Sequence, residues 1–248
     1  MAGMYIDRVR YEYPFTGETY LTRIPAVRWL TETGALEFRR PVTFFVGENG
    51  TGKSTLIEAI AIASGFNPEG GSANFNFHTE DSYSDLWQHI RLERSRRQKD
   101  GFFLRAESFY NVASNIDQLD REPGGRRIIE SFGGESLLNQ SHGESFLAMV
   151  HNRLSGHGLY IFDEPEAALS PSRLMTLLAE MDRLVKEDSQ FIISTHSPIL
   201  MAYPGAEIYE LSESGIRSVD YRQTDNYVIT KRFLDDPASM LRYLLEEP

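Results

Sequence analysis

Cysteine is absent from this chain, so disulfides, thiolate metal sites and cysteine nucleophiles are excluded at once. Long hydrophobic runs are absent too. No apolar stretch approaches the ~18–20 residues that a membrane span needs. Met1 to Tyr13 carries Asp7, Arg8, Arg10 and Glu12 where a secretory signal would have an apolar core. Positive charge is in short supply. Twenty-five Lys and Arg face 36 Asp and Glu, a formal charge of −11, which argues against a nucleic-acid coat over the whole surface but leaves room for a local basic patch. Internal repeats and low-complexity tracts are also missing. A cytoplasmic protein with no direct membrane insertion is therefore expected. Against these absences, 248 residues at 41% hydrophobic and 25% charged suffice to bury a sizeable core.

Strands and helices are expected to alternate. Leu21 to Leu30 and Leu36 to Arg39 read as short strands about a turn at Thr33-Gly34. Val42 to Val46 suits a buried parallel strand, and Leu56 to Ala63 a helix stopped by Gly65 and Pro68. Gly70 to Thr79 reads as a loop, and Asp85 to Lys99 as a helix with a basic end. Phe102 to Leu104, Leu159 to Phe162 and Phe191 to Ser194 read as further strands, and Phe146 to Leu154 as a helix. The stretch Asn115 to Asn139 is hard to read, beyond turn signals at Pro123-Gly124-Gly125 and Gly133-Gly134. Ser170-Pro171 supplies an N-cap and a first-turn proline for a helix with apolar Leu174, Leu177, Leu178, Met181 and Val185. A hairpin about Ser214-Gly215 and two short helices parted by Asp236-Pro237 complete the chain. Alternation of this kind argues an α/β fold with a mainly parallel sheet.

The strongest local signal is Gly47-Glu48-Asn49-Gly50-Thr51-Gly52-Lys53-Ser54, which fits GxxxxGK[ST] between a strand and a helix. Glycines let the backbone curl so that successive N–H groups face phosphate oxygens, and the helix adds its positive dipole end. Lys53 is expected to reach the β- and γ-phosphates, Ser54 to place its hydroxyl on Mg²⁺, and Gly47 to Thr55 to form the ATP cradle. The plain alternative is a Gly-rich turn that happens to contain lysine.

A second signal is the apolar strand Leu159 to Phe162 ending in Asp163 and Glu164. A buried parallel strand delivers its last side chains to the crevice where ligands bind. Asp163 then suits the Mg²⁺ shell and Glu164 suits proton abstraction from an attacking water. A solvated acidic turn, with Glu166 close by, is the other reading. Thirty-three residues after Asp163, His196 follows another buried strand, from where its imidazole can orient the γ-phosphate or the water.

With these motifs in order, the chain resembles the ABC-type ATPases over about residues 36 to 200. The resemblance implies a P-loop NTPase head with a mainly parallel central sheet, an antiparallel β portion near the N-terminus and a helical signature subdomain. It implies one domain over 1–248, with a nucleotide-binding core at 1–65 and 155–223, an insertion at 66–154 and C-terminal helices at 224–248. The family's signature, usually LSGGQ, has its counterpart in Ser141-His142-Gly143-Glu144-Ser145, 22 residues before Asp163. Gln140, His142 and Glu144 depart from the usual wording, while Ser141 and Gly143 keep it. In this family the signature contacts nucleotide held by the opposite subunit, so a head-to-tail homodimer around two ATP molecules is implied. Ser141, Gly143 and Glu144 would then join the nucleotide site. Glu107 (or Ala106) falls where the family puts a metal-contacting glutamine, and Gln88 and Gln98 lie too early. An adenine-stacking aromatic among Tyr11, Tyr13, Tyr20 and Trp29 cannot be ranked.

Two branches of the family differ in wording. Transporter subunits usually read DEPTSALD and THD. Here Asp163-Glu164-Pro165-Glu166-Ala167-Ala168-Leu169-Ser170-Pro171 and Thr195-His196-Ser197-Pro198 are similar to the SMC-like and OLD-like ATPases of DNA metabolism and phage defence. Only 86 residues separate Ser54 from Ser141, with no sustained heptad, so a bare head without a coiled-coil arm is expected. Three functions stay open: an ATPase acting on a protein partner, a non-hydrolysing ATP-gated dimerisation module, and a transporter's energising subunit. The basic run Arg91, Arg94, Arg96, Arg97 and Lys99, opposed only by Glu93, is either a solvated helix face or a nucleic-acid or acidic-partner contact.

Overall fold

The computed structural model describes residues 4–72, 83–107, 109–120 and 128–245. The expected loop beyond Ser72 and the turn at Pro123-Gly124-Gly125 lie outside the described residues. The β-branched and aromatic runs form the sheet, as their composition dictates. Its strands are β3 (Val42–Gly47), β5 (Asp100–Arg105), β6 (Gly158–Asp163), β7 (Gln190–Ser194), β8 (Glu207–Ser212) and β9 (Gly215–Ser218). Their order is β5-β6-β7-β3-β8-β9, parallel throughout except for the β8–β9 hairpin. A second, antiparallel sheet has the order β2-β1-β4, from β1 (Arg8–Tyr11), β2 (Ala35–Glu37) and β4 (Ile90–Glu93).

Strand side chains alternate between faces, so one run feeds two cores. Phe44, Phe102, Phe162, Phe191 and Ile193 pack on one side. They meet α4 (Phe109–Leu119), α5 (His142–Arg153), α6 (Pro171–Lys186) and α7 (Pro198–Met201). Phe45, Phe103, Ile161 and Ile192 pack on the other face, against α1 (Pro25–Thr33), α2 (Lys53–Ala63) and the antiparallel sheet. The C-terminal helices α8 (Asp225–Asp235) and α9 (Pro237–Leu245) bury no residue fully. Among the described residues, no helix is long and apolar enough to cross a membrane.

Two expected elements are corrected. Leu21 to Leu30 is not a strand: it forms a single 3-10 turn, Tyr20–Arg23, followed by α1. Pro25 sits at the start of that helix, Gly34 closes it in the left-handed region at φ 79°, and Ala26, Val27 and Leu30 form its buried stripe. The expected helix Asp85 to Lys99 shortens to α3 (Leu86–His89), and the chain then extends as β4. Pairing with β1 overrides helix propensity, because the register sets Val9 against Leu92 and Tyr11 against Ile90, with Val9 and Ile90 buried, and aligns Arg8 with Glu93. Arg8 and Arg10 then meet Glu93 at 3.5 Å and 3.1 Å. The basic run is consequently no helix face. Arg91 pairs with Glu12 at 3.1 Å, Arg94 donates to the Ala63 carbonyl at 3.3 Å, and Arg96 binds Asp188 at 2.8 Å while stacking on Tyr5.

The end of β3 is held by close backbone approach. Gly47 has φ 132°, and a Cβ there would lie 2.1 Å from the Leu211 carbonyl oxygen on β8. Gly47→Ala is expected to destabilise the chain by about 2 kcal/mol or more, combining backbone strain with this clash. Urea denaturation measures it, and an unchanged midpoint would contradict the packing described.

Candidate functional site

The loop from Gly47 to Gly52 turns on three glycines in the left-handed region, Gly47, Gly50 and Gly52. Gly50 faces open space. Gly52 instead packs tightly, since a Cβ there would meet Ile24 at 2.5 Å. Helix α1 braces the loop from behind, its Ala26 N–H donating to the Thr51 carbonyl at 3.1 Å. Among the described residues, the N–H groups of Gly50, Thr51, Gly52 and Lys53 find no protein acceptor. Four unsatisfied donors at a helix start form an anion cradle, which fits a polyphosphate. Lys53 is buried inside it, its ammonium donating to the Gly47 and Glu48 carbonyls at 2.8 Å and 3.0 Å. Burial lowers its pKa, and the carboxylates of Glu164, Asp163 and Glu166 oppose that shift.

Parallel register brings the acidic strand beside this lysine. Asp163 pairs with Ser194 on one neighbouring strand and with Arg105 on the other. Only 6% of Asp163 is exposed. Its Oδ1 accepts from Ser194 Oγ and, at 3.2 Å, from Ser54 Oγ, while Oδ2 lies 3.7 Å from Arg105 Nε. Burial raises the Asp163 pKa, Ser194 and Arg105 pull it back, and Glu164 adds to the rise. A hydroxyl and a carboxylate in contact at the mouth of the cradle are oxygen donors of the kind Mg²⁺ takes alongside phosphate and water. The residues present fit that ion.

Glu164 has φ 50° and ψ 53°, a left-handed conformation uncommon outside glycine. Its N–H donates at 3.1 Å to both the carbonyl and the hydroxyl of Ser194, which holds the strained residue in place. The Glu164 carboxylate is thereby turned to His196, with Oε1 and Nε2 3.5 Å apart and both side chains part-exposed. Glu166 accepts from the His196 N–H, and Asn226 on α8 donates to the His196 carbonyl at 3.1 Å. Burial raises the Glu166 pKa, against the His196 N–H that lowers it. A cavity of about 800 Å³ opens beside the loop, bounded by Gly47 to Asn49, His196 and α8.

Lys53, Ser54, Asp163, Glu164 and His196 thus converge on one crevice. Ser141 and Glu144 belong to a separate surface at the start of α5. There Ser141 is exposed, and its N–H donates to Glu144 Oε2 at 3.1 Å. Gly143 is buried under Arg173 of α6, where a Cβ would meet Arg173 Nη1 at 2.5 Å and the Ala168 carbonyl at 3.0 Å. Arg173 also donates to Ser141 Oγ at 3.2 Å and pairs with Glu144 at 3.1 Å. Glu107 is a different case. Its side chain is 88% exposed, and it faces Arg105 at 4.0 Å; Arg105 is the residue from that segment that turns toward Asp163. Sequence reasoning missed Ser194, Arg105, Arg173 and Asn226. Only Ser194 had a signal, as the last residue of a buried strand just before His196.

The first part of the chain, residues 23–144, matches a family described as "AAA domain". Residues 145–202 match one described as "AAA domain, putative AbiEii toxin, Type IV TA system". Together they take in the phosphate loop, the acidic strand and His196. This chain has the fold of an ABC-type P-loop ATPase head. Its fold is similar to that of the ATP-binding cassette MJ1267 of an ABC transporter in its ADP conformation. That likeness has TM-score 0.51 and 18% identity, covering 99% of this chain and 100% of that one. It is similar in the same sense to cbiO1 of Clostridium perfringens, part of the ABC transporter complex cbiONQ, with TM-score 0.52, 14% identity and 98% and 99% covered. At these identities the likeness is one of fold. In sequence, this chain is 29% identical over 134 residues to the "Retron Vc95 probable ATPase" of Vibrio cholerae serotype O1 biovar El Tor. That match covers 47% of this chain and spans a quarter of the relative's length, 25%.

Arg173 is the residue that ties the α5 start to the segment after the acidic strand. Arg173→Ala is expected to speed amide exchange at residues 141–145 by about tenfold or more, through loss of its bonds to Ser141 and Glu144. Hydrogen-exchange mass spectrometry reads this directly, and unchanged protection there would show that the turn holds itself.

Proposed function

We propose that this chain binds Mg-ATP and hydrolyses it as a head-to-tail dimer, acting as an ATP-driven switch for a protein partner. The observation that carries the reading is the convergence of five side chains of suitable chemistry, Lys53, Ser54, Asp163, Glu164 and His196, on a loop with four free N–H donors. In this reading Gly47 to Thr55 hold the triphosphate, and Lys53 neutralises its outer phosphates. Ser54 and Asp163 are the residues that would hold Mg²⁺, which when bound supplies charge neutralisation at the phosphates. Glu107 has no support as a further ligand from its exposed position. Glu164 accepts a proton from the attacking water as the new P–O bond forms and the bond to the ADP oxygen breaks. His196, held by Glu166 and Asn226, orients that water or the γ-phosphate.

Among the described residues, neither Ser141 nor Glu144 has a hydrogen bond or ion pair to its own chain's phosphate loop, and Ser141 is exposed. This supports their serving a second copy. The named roles of the relatives, an ATPase of a retron and a family worded for a toxin–antitoxin system, favour a defence or DNA-metabolism switch over a transporter's energising subunit. A nucleic-acid contact through Arg91 to Lys99 is the weaker reading of the partner, because Arg91 and Arg96 are already committed to ion pairs.

Slow ATP turnover is expected from the purified chain, rising with protein concentration. Lys53→Ala should lower it by about a hundredfold or more, to background. Glu164→Gln with ATP should accumulate dimers on a sizing column. A monomer under those conditions, or turnover that survives Lys53→Ala, would contradict the scheme.

A further inference from the structure

Behind Asp163 lies an ion cluster that the hydrolysis scheme does not use. Glu58 sits on α2 one helical turn after Ser54, on the same face. It is 7% exposed, its Oε1 accepts from the Ser84 N–H at 3.0 Å, and its Oε2 lies 2.7 Å from Arg105 Nη1. Arg105 is the last residue of β5, in register with Asp163 on β6. One guanidinium therefore serves two buried carboxylates, on unequal terms. Glu58 holds it at hydrogen-bond distance, while Asp163 Oδ2 stands off at 3.7 Å, beyond such a bond.

The inequality has a consequence for a cation at Ser54 and Asp163. A guanidinium that closed on Oδ2 would occupy one of the carboxylate's two oxygens and cancel the charge a divalent ion needs. A guanidinium at stand-off still lends its field, which favours the ionised carboxylate, without taking the oxygen. The other oxygen, Oδ1, is already engaged by the hydroxyls of Ser54 and Ser194. Among the described residues, the oxygen that Arg105 leaves open is thus the one without a hydrogen bond.

We propose that Glu58 is a positioning residue that tethers Arg105 short of Asp163, and so sets the Mg²⁺ concentration at which the site fills. The inference rests on the Mg-nucleotide reading of the site above. It concerns neither the nucleophile nor the phosphate cradle. Loss of the Glu58 charge releases Arg105 toward Asp163, where it competes with the ion. Loss of both charged groups removes the competitor together with its tether.

The test is a Mg²⁺ titration of binding by a fluorescent ATP analogue to the full chain, with EDTA providing the metal-free reference. Glu58→Gln is expected to raise the half-saturating Mg²⁺ concentration by about tenfold while leaving metal-free nucleotide affinity unchanged. The double variant Glu58→Gln with Arg105→Gln should return most of that shift, an outcome that a merely destabilised helix would not produce. Glu58→Asp keeps the carboxylate but shortens its reach, so it should move the midpoint in the same direction by a smaller factor. It decides the matter if Glu58→Gln does not fold. An unshifted midpoint in the folded single variant, or a double variant no better than the single, overturns the tether while leaving the nucleotide reading intact. Wild-type binding that ignores Mg²⁺ overturns both.

Discussion

A carboxylate buried to 6% exposure at the end of a parallel strand has to be compensated, and much of the crevice is arranged around doing so. Asp163 obtains two hydroxyls, from Ser54 and Ser194, and the field of Arg105. Each comes from a different element: the helix after the phosphate loop, the strand on one side and the strand on the other. The compensation therefore fixes α2, β5 and β7 relative to β6. Ser194 contributes twice, because its hydroxyl and carbonyl also accept the Glu164 N–H and hold that residue left-handed. A structural need, the satisfaction of a buried charge, and a chemical one, the aim of Glu164 toward His196, are met by the same serine.

The second half of the proposed site is built on a different principle. The α5 start is an exposed turn with its own internal bonds, anchored from below by a single arginine. Gly143 is required there for packing against Arg173, which gives the glycine a structural role in addition to any contact its N–H makes with a ligand. Arg173 follows directly on the segment that leaves Glu164, by way of Ser170 and Pro171. One side chain, Arg173, thus joins the helix that follows the acidic strand to the surface that bears Ser141. The C-terminal helix α8 reaches the His196 loop through Asn226 in a comparable way.

Much of this was legible in the residues, and the parts that were not fail for physical reasons. The phosphate loop, the acidic strand and the Ser170-Pro171 helix start are local patterns whose geometry is dictated by glycine, by burial and by proline. Leu21 to Leu30 and Asp85 to Lys99 were misread because short apolar and charged segments carry weak local preferences. In the first, a proline start and a left-handed glycine made a helix; in the second, the antiparallel ladder with β1 made a strand. Arg105, Arg173 and Asn226 carry no local signature, since an arginine or asparagine near a strand or helix end is ordinary.

The sequence alone determined which chemistry this chain holds: the spacing of Gly47 to Ser54, the acids at the end of an apolar strand, and the histidine after the next. Those are properties of short segments, set by backbone freedom and side-chain period. Only the tertiary structure decided which atoms meet. That Asp163 lies between Ser54, Ser194 and Arg105, and that Glu58 rather than Asp163 holds the guanidinium, depends on strand order and register across more than a hundred residues. No local propensity encodes such pairings, because they are fixed by the burial of both sheet faces at once.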